Sequence, residues 1–196
     1  MTSVYYLPAR RQRLDEGLGL LIAKSGFKVT GREVTPRYRF LDRMEFGHLL
    51  FDRQVAIVRE DICKMNEPIK ILAGGFGAFI LLHALWDGTF EKLNGSYCLI
   101  SPITGITKSN RYHANPPYAK ELEEAMRSSK HFAGKSFTII ASSKEEAVSI
   151  ERMKLLTKNL HLVDESDKTV HRRIVWPFVS TWLRNIQYDN SLADNN

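Results

Sequence analysis

The segment Ala73-Gly74-Gly75-Phe76-Gly77-Ala78 has the spacing of a turn that can carry chemistry. It follows an apolar run from Ile69 and leads directly into a second apolar run, so the pattern predicts a buried strand, a tight turn and a helix. Three kinds of structure use such a turn: a dinucleotide-binding loop, a strained turn that presents a nucleophile, and a tight turn with no chemical role.

Phosphate binding is the first possibility, and the spacing argues against it. Gly75 and Gly77 match the first two glycines of a dinucleotide-binding turn, but Ile80 stands where the third position needs a small residue. The Gly-Lys-Ser/Thr sequence of a phosphate-binding loop is absent. Cys63 and Cys98 have no metal-ligand spacing. We therefore expect neither a cofactor nor a metal site.

The second possibility is a nucleophile elbow, in which small residues stand two positions either side of the reactive one. Ala73 and Gly77 flank Gly75 in that frame, and Phe76 would supply a backbone N–H to an oxyanion hole. A frame shifted by one would centre Phe76, but the Gly75 frame has the usual bulky residue after its centre. Gly75 has no side chain, so a purely structural turn stays open as the third interpretation.

Charge and composition limit the partners. The net charge of +6 comes from basic residues spread along the chain, clustered only at Arg10-Arg11-Arg13 and Arg172-Arg173. Without a nucleic-acid motif, this favours a solvated basic surface over a nucleic-acid interface. The longest apolar stretch, Ile71 to Trp86, is interrupted by three glycines and His83, which predicts a buried strand and helix, not a membrane span. With only two cysteines and no signal-peptide pattern, we expect a cytoplasmic protein.

Short β-branched or aromatic runs alternate with longer amphipathic ones along the chain. This alternation predicts a three-layer αβα sandwich with a mostly parallel sheet of about six strands. The last helix is predicted over about His171–Ile186 and is expected to start or kink at Pro177. We expect one domain over residues 1–188 and a flexible tail over 189–196. The predicted strands are Val4–Leu7, Phe27–Val34, Ile69–Ala73, Ser96–Ile100, Ser136–Ile140 and His161–Val163.

Several short motifs occur together in a familiar order. They are Val4-Tyr5-Tyr6-Leu7-Pro8, Gly17-Leu18-Gly19, Gly31-Arg32-Glu33, Ala73-Gly74-Gly75-Phe76-Gly77-Ala78 and Leu99-Ile100-Ser101-Pro102. In this order and spacing the chain resembles small capless α/β-hydrolase-like proteins of bacteria from Val4 to Ile186. The resemblance implies an α/β-hydrolase fold with Gly75 at the nucleophile position.

The resemblance also implies where an acid and a base would stand. Glu145, with Glu146 as the next choice, matches the acid after the fifth strand, although acidic residues at a helix start are also favoured by the helix dipole. Lys168 matches the position of the histidine base, and a shifted loop would bring His171 there instead. His161 is expected to be structural.

The loop after the first strand departs from the family pattern as well. Relatives carry glycines there, whereas this chain has Pro8-Ala9-Arg10-Arg11, so Ala9 and Arg10 would take the oxyanion side. The same pocket is expected to include Arg11, Phe76 and the acid and base positions. Its rim is expected in the loop 107–118, with the basic and aromatic residues Arg111, Tyr112, His113 and Tyr118.

Three functions follow as hypotheses. The favoured one is a hydrolase-like protein without serine-hydrolase activity that binds a small molecule or a protein partner in the former pocket. The alternative is an active, esterase-like hydrolase that uses Ser101, Ser142 or Ser143 as nucleophile, or a water activated by Glu145 and His171. The third is a basic scaffold for nucleic acid or an acidic protein.

Overall fold

The computed structural model describes six strands that alternate with six α-helices. The described residues are 2–35, 45–66, 68–86, 95–106, 116–128, 132, 135–164 and 172–193. At 116 and 185–193 only the backbone is described. A short 3-10 helix covers Phe46–His48. The strands are β1 Ser3–Leu7, β2 Lys28–Gly31, β3 Ile69–Gly74, β4 Gly95–Ile100, β5 Ser136–Ser142 and β6 Leu160–Val163. The helices are α1 Gly17–Lys24, α2 Phe51–Cys63, α3 Gly75–Leu85, α4 Pro116–Arg127, α5 Ala147–Leu156 and α6 Arg172–Ala193.

All six strands are parallel, and their order is β2-β1-β3-β4-β5-β6. The chain therefore reverses its direction of travel across the sheet between β1 and β3. In open parallel sheets, crevices for ligands form outside the carboxyl ends of the strands at such a reversal. Leu7 pairs with Ala73 and Gly74 pairs with Ile100, so the ends of β1, β3 and β4 lie side by side at this edge.

The sheet buries both faces, because alternate residues of each strand point to opposite sides. Tyr5, Leu7 and Ile71 pack in the core that also contains α2, α3, α4 and α5. Val4 and Tyr6 pack on the other face, in the core formed with α1 and α6. The molecule thus has three layers, with four helices on one side of the sheet and two on the other.

The predicted fold class is confirmed, and the sheet is wholly parallel where a mostly parallel one was expected. Every predicted strand is present, with ends shifted by a few residues. The largest shift is at β2, which spans Lys28–Gly31 and ends before Val34, the last residue of the predicted strand. The prediction that the last helix starts or kinks at Pro177 is wrong about the start, because α6 begins at Arg172 and contains Pro177.

Two further predictions concern the C-terminal end of the chain and the absence of a membrane-spanning helix. The helix α6 reaches Ala193, beyond the predicted end near Ile186, and the division into a domain and a tail after residue 188 stays a prediction. Within the described residues, none of the helices has the length and the apolar content that crossing a membrane requires.

Candidate functional site

The turn between β3 and α3 is as sharp as the glycine pattern predicts. Gly74 is still extended, with φ −123° and ψ 142°, and α3 begins at the next residue. Gly75 has φ +46°, a left-handed conformation that costs other residues about 1–2 kcal/mol. Phe76 is not among the residues with positive φ, so the strained centre of the turn is Gly75.

The space around this turn is closed on one side by the loop after β1. A Cβ atom added to Gly75 would lie 3.3 Å from Cβ of Ala9, which is tighter than an ordinary contact. A Cβ at Gly77 would overlap the carbonyl oxygen of Leu7. Glycine at 77 therefore allows α3 to lie directly against the end of β1.

A cavity of about 580 Å³ opens at this edge of the sheet. It lies where the ends of β1, β3 and β4 meet the first turns of α1 and α6, at the reversal of strand order. Its volume is in the range of small-molecule sites. Its lining residues are Ala9, Arg11, Gln12, Arg13, Glu16, Gly17, Leu18, Gly74, Gly75, Ile100, Ser101, Arg172 and Val175.

The loop after β1 sends its two consecutive arginines to different places. The N–H of Gln12 donates to the carbonyl of Ala9 at 3.0 Å, which closes a turn with Arg10 and Arg11 at its centre. Arg11 has φ +66°, as the third residue of a type II turn requires. Arg11 lines the large cavity, whereas the Arg10 guanidinium lies 4.5 Å from the ring centroid of Phe76 and faces a second cavity of about 340 Å³.

Arg13 is fixed by contacts outside the cavity. Its Nη1 donates to Oε2 of Glu33 at 2.8 Å and to the carbonyl of Thr35 at 2.6 Å. The other oxygen of Glu33 accepts the N–H of Leu14 at 3.1 Å. These bonds attach the loop after β1 to the segment after β2, so Arg13 acts as a structural tie at the cavity wall.

Ser101 is the residue in the described cavity lining that carries a hydroxyl group, and its backbone conformation is unusual. It follows β4 with φ +42°, and its N–H donates to the carbonyl of Ile140 at 2.8 Å. Its Oγ is buried and has no hydrogen-bond partner. An unsatisfied buried hydroxyl costs roughly 1–3 kcal/mol.

The predicted site residues Glu145, Ser142 and Ser143 are described, and none of them is in the described lining of this cavity. Glu145 lies in the loop after β5, where its N–H donates to the carbonyl of Ser142 at 3.1 Å, and it is not among the described lining residues. The Ser142 hydroxyl is already engaged, because it accepts the N–H of Lys144 at 3.1 Å. Ser143 Oγ donates to Asp164 at 3.4 Å. Lys168 and His171 fall outside the described residues.

Three other predicted features can be placed. Tyr118, expected at the pocket rim, packs on Phe51 with ring centroids 4.4 Å apart and donates its hydroxyl to Asp52 at 2.9 Å. His161 lies in β6, with its ring 5.0 Å from that of Phe178. The remaining rim residues, Arg111, Tyr112 and His113, lie outside the described part of the chain.

Cys98 is a free, buried thiol, and burial raises its pKa. Over the described residues, no three His, Cys, Asp or Glu side chains are grouped so that they could hold a metal ion.

Two solved structures share this architecture. The ydeN gene product of B. subtilis matches with a TM-score of 0.58 over 94% of this chain and all of its own, at 10% identity. TT1662 of Thermus thermophilus matches with a TM-score of 0.60 over 93% of this chain and 89% of its own, at 12% identity. The chain has an α/β-hydrolase-like fold.

The remaining comparisons add no argument about function. A Xanthomonas campestris protein provisionally assigned to the hydrolases of the alpha/beta superfamily matches this chain with a TM-score of 0.48 at 14% identity, over 94% of this chain and 95% of its own. No protein-family model and no curated sequence matches this chain. At these identities the structural neighbours establish the fold alone.

The sequence did not identify several residues of the cavity. Gln12, Glu16 and Arg172 contribute polar groups that no motif marks. A weak signal exists for two of them, since Glu16 precedes the Gly17-Leu18-Gly19 helix start and Arg172 starts the last helix. Their convergence depends on how α1 and α6 pack together, which short sequence patterns do not specify.

Proposed function

We propose that this chain is a ligand-binding protein of α/β-hydrolase-like fold that lacks serine-hydrolase activity. The observation that carries the proposal is Gly75, which occupies the strained centre of the strand-to-helix turn and opens on the cavity without a side chain. A nucleophile elbow depends on a hydroxyl at that position. Loss of the nucleophile removes most of the rate of a triad enzyme and leaves roughly 10³–10⁴-fold over water.

The surroundings of Gly75 support binding in place of covalent catalysis. Glu145, the residue that matches the acid, is outside the described lining, and the loop that the resemblance assigns to the oxyanion side has Ala9 followed by a turn of two arginines. The cavity has a volume of about 580 Å³. In this proposal the small molecule occupies it, and Lys168 or His171 keeps the base position that the resemblance implies.

The proposed absence of serine-hydrolase activity is tested with the substrates p-nitrophenyl acetate and p-nitrophenyl butyrate. We expect the parent and Gly75→Ala to match a protein-free blank, and turnover to appear only in Gly75→Ser. Gly75→Ala is the matched control because it introduces the same Cβ contact with Ala9 and the same backbone strain without a hydroxyl. Both variants should lose about 1–2 kcal/mol of unfolding free energy, measured in urea. Turnover by the parent would overturn the proposal.

The proposed ligand binding is tested separately, by following backbone amide resonances. Titration with n-octanol, a neutral probe for the apolar wall, should shift the amide resonances of Gly17, Gly75 and Ser101, which line the cavity. A spectrum in which these amides do not respond to octanol or to any anionic analogue would refute ligand binding here.

A second function is favoured by one specific observation. Ser101 lies in the cavity next to Gly75, because Ile100 pairs with Gly74, and its buried Oγ has no partner. Glu16 is the carboxylate in the same described lining. An esterase with Ser101 as nucleophile would turn over the nitrophenyl esters as the parent and lose that activity in Ser101→Ala. Loss in Glu145→Ala or His171→Ala would instead indicate an activated water.

A further inference from the structure

We infer that the cavity selects small molecules with an oxyanion head group, a carboxylate or a phosphate, recognised by Arg11 and Arg172. The inference rests on the proposed ligand-binding function and names the class of ligand. It is carried by two guanidinium groups without partners among the described residues and by two uncapped helix ends, which meet in one cavity.

The charge of the described cavity lining is unbalanced. Among its described residues, Arg11, Arg13 and Arg172 carry positive charge, and one residue, Glu16, carries a carboxylate. Arg13 is committed to Glu33 and to the Thr35 carbonyl. For the guanidinium groups of Arg11 and Arg172, the described residues provide no hydrogen-bond or ion-pair partner. An anionic group is the ligand chemistry that complements two such side chains.

Two helices begin at the same cavity without side-chain caps. α1 starts at Gly17 after the N-cap residue Glu16, and α3 starts at Gly75 after Gly74. Neither N-cap residue makes a side-chain hydrogen bond to its helix. The first N–H groups of a helix and its dipole attract anions, so both ends add to the potential of the arginines. The guanidinium of Arg172 reaches this region, with Nη1 3.9 Å from the Cβ position of Gly17.

Apolar side chains form another part of the described wall and indicate the body of the ligand. Leu18 of α1, Val175 of α6, Ile100 of β4 and Ala9 present hydrocarbon surface to the same space. A volume of about 580 Å³ exceeds that of an inorganic ion and suits a molecule of drug-like size. The expected ligand therefore combines a charged head with an apolar body.

The test compares three probes with the same chain length: n-octanoate, n-octyl phosphate and neutral n-octanol, titrated calorimetrically into the full-length protein. We expect the two anions to bind about tenfold or more tightly than octanol, because charge-assisted hydrogen bonds contribute about 1.5–3 kcal/mol. Their affinity should fall as sodium chloride is added, while that of octanol should not. The ratio of octanoate to octyl phosphate distinguishes a carboxylate site from a phosphate site.

Variants locate the anion. Arg11→Gln and Arg172→Gln should each weaken octanoate binding roughly tenfold and leave octanol unchanged. Arg127→Gln is the charge-matched control, because Arg127 is an exposed residue at the end of α4 and does not line the cavity, so it should bind like the parent.

The outcomes separate this inference from the function on which it rests. Octanol binding as tightly as octanoate, or Arg127→Gln weakening the anions as much as the cavity variants, would overturn the anion inference and leave ligand binding intact. Failure of all three probes to bind would overturn both. Selective loss of anion binding in the cavity variants would establish the class of ligand.

Discussion

At the scale of single residues, two serines at the ends of neighbouring strands differ in whether their hydroxyl groups have a hydrogen-bond partner. Ser142 Oγ accepts the Lys144 N–H, whereas Ser101 Oγ has no partner. Removing the unsatisfied hydroxyl in Ser101→Ala should raise the unfolding free energy of the unliganded protein by about 1 kcal/mol, since a desolvation cost is removed. Ser142→Ala should lower it by about 1 kcal/mol. Urea denaturation measures both, and equal signs would contradict this reading of Ser101.

Lys70 is a second buried polar residue without a partner. It lies in β3 at 1% exposure, and its Nζ has no hydrogen bond. Burial lowers its pKa. Because the unfolded chain then holds its proton to higher pH than the folded one, the parent should gain stability as pH rises towards the unfolded value of about 10.4.

Replacing this lysine with an apolar residue should therefore stabilise the fold. Lys70→Met is expected to add about 1–3 kcal/mol to the unfolding free energy at neutral pH and to remove the alkaline gain. Lys120→Met, at an exposed position of α4, is the control and should change stability by less than about 0.5 kcal/mol. Chemical denaturation at neutral and alkaline pH gives both comparisons. A destabilised Lys70→Met protein would show that the ammonium group is satisfied in the folded state.

At the scale of elements, β1 and the segment after β2 are tied to α2 through one carboxylate. Asp61 accepts two hydrogen bonds from Arg32, at 2.7 and 2.9 Å, and one from the Tyr5 hydroxyl at 2.7 Å. Burial of Asp61 favours its neutral form, but the bonds from Arg32 and Tyr5 outweigh it and lower the pKa. This contribution to stability is present above the unfolded pKa of 3.8 and is lost as pH falls below it.

The prediction for this tie is that Asp61→Asn lowers the unfolding free energy by about 1–2 kcal/mol, a moderate value because Arg32 is 45% exposed. Glu151→Gln breaks an ion pair with Lys154 in which both side chains are mostly exposed, and should cost less than about 0.5 kcal/mol. Thermal or urea unfolding at neutral pH compares the two. Equal effects would mean that Asp61 contributes no more than a surface pair.

The elements were more predictable from the sequence than the site. Short apolar runs indicate the strands because both faces of the parallel sheet are buried, and helical patterns indicate the helices. Gly75 could be identified as the centre of its turn because small residues flank it and the bulky Phe76 follows it, and its left-handed φ agrees with that frame. Arg10 and Arg11 show the limit of this reasoning. They are neighbours of the same type, and only the turn at Arg11 directs one to each cavity.

At the scale of the whole molecule, a buried histidine links the stability of the larger core to pH. His83 of α3 is 3% exposed and is surrounded by the rings of Phe51, Phe79, Trp86 and Tyr118. Its Nε2 has no hydrogen-bond partner. Burial lowers the pKa of His83 from 6.5 to about 4, against the opposing effect of a hydrogen bond to the Tyr118 backbone. The folded protein therefore holds this ring neutral at neutral pH.

The lowered pKa of His83 predicts the direction in which the unfolding free energy changes with pH and the pH range of that change. Between the folded pKa of about 4 and the unfolded value of 6.5, the unfolded chain binds the additional proton. The unfolding free energy should therefore decrease as pH falls through this window, by about 3 kcal/mol in all. The Asp61 contribution acts at lower pH, below 3.8, so the two effects are separable. Urea denaturation across the window should follow this decrease in the parent.

Two variants in the aromatic cluster around His83 test whether this residue causes the pH dependence of stability. His83→Phe keeps a ring in the cluster and removes the titrating group, so it should flatten the dependence of unfolding free energy on pH across the window. Phe79→Leu, whose parent ring lies 4.8 Å from His83, should lower stability by a similar amount at every pH and keep the slope of the parent. A His83→Phe protein that retained the full slope would show that other groups bind the proton. A flattened slope only in His83→Phe would show that the pH dependence of stability between about 4 and 6.5 comes from one buried imidazole between α2, α3 and α4.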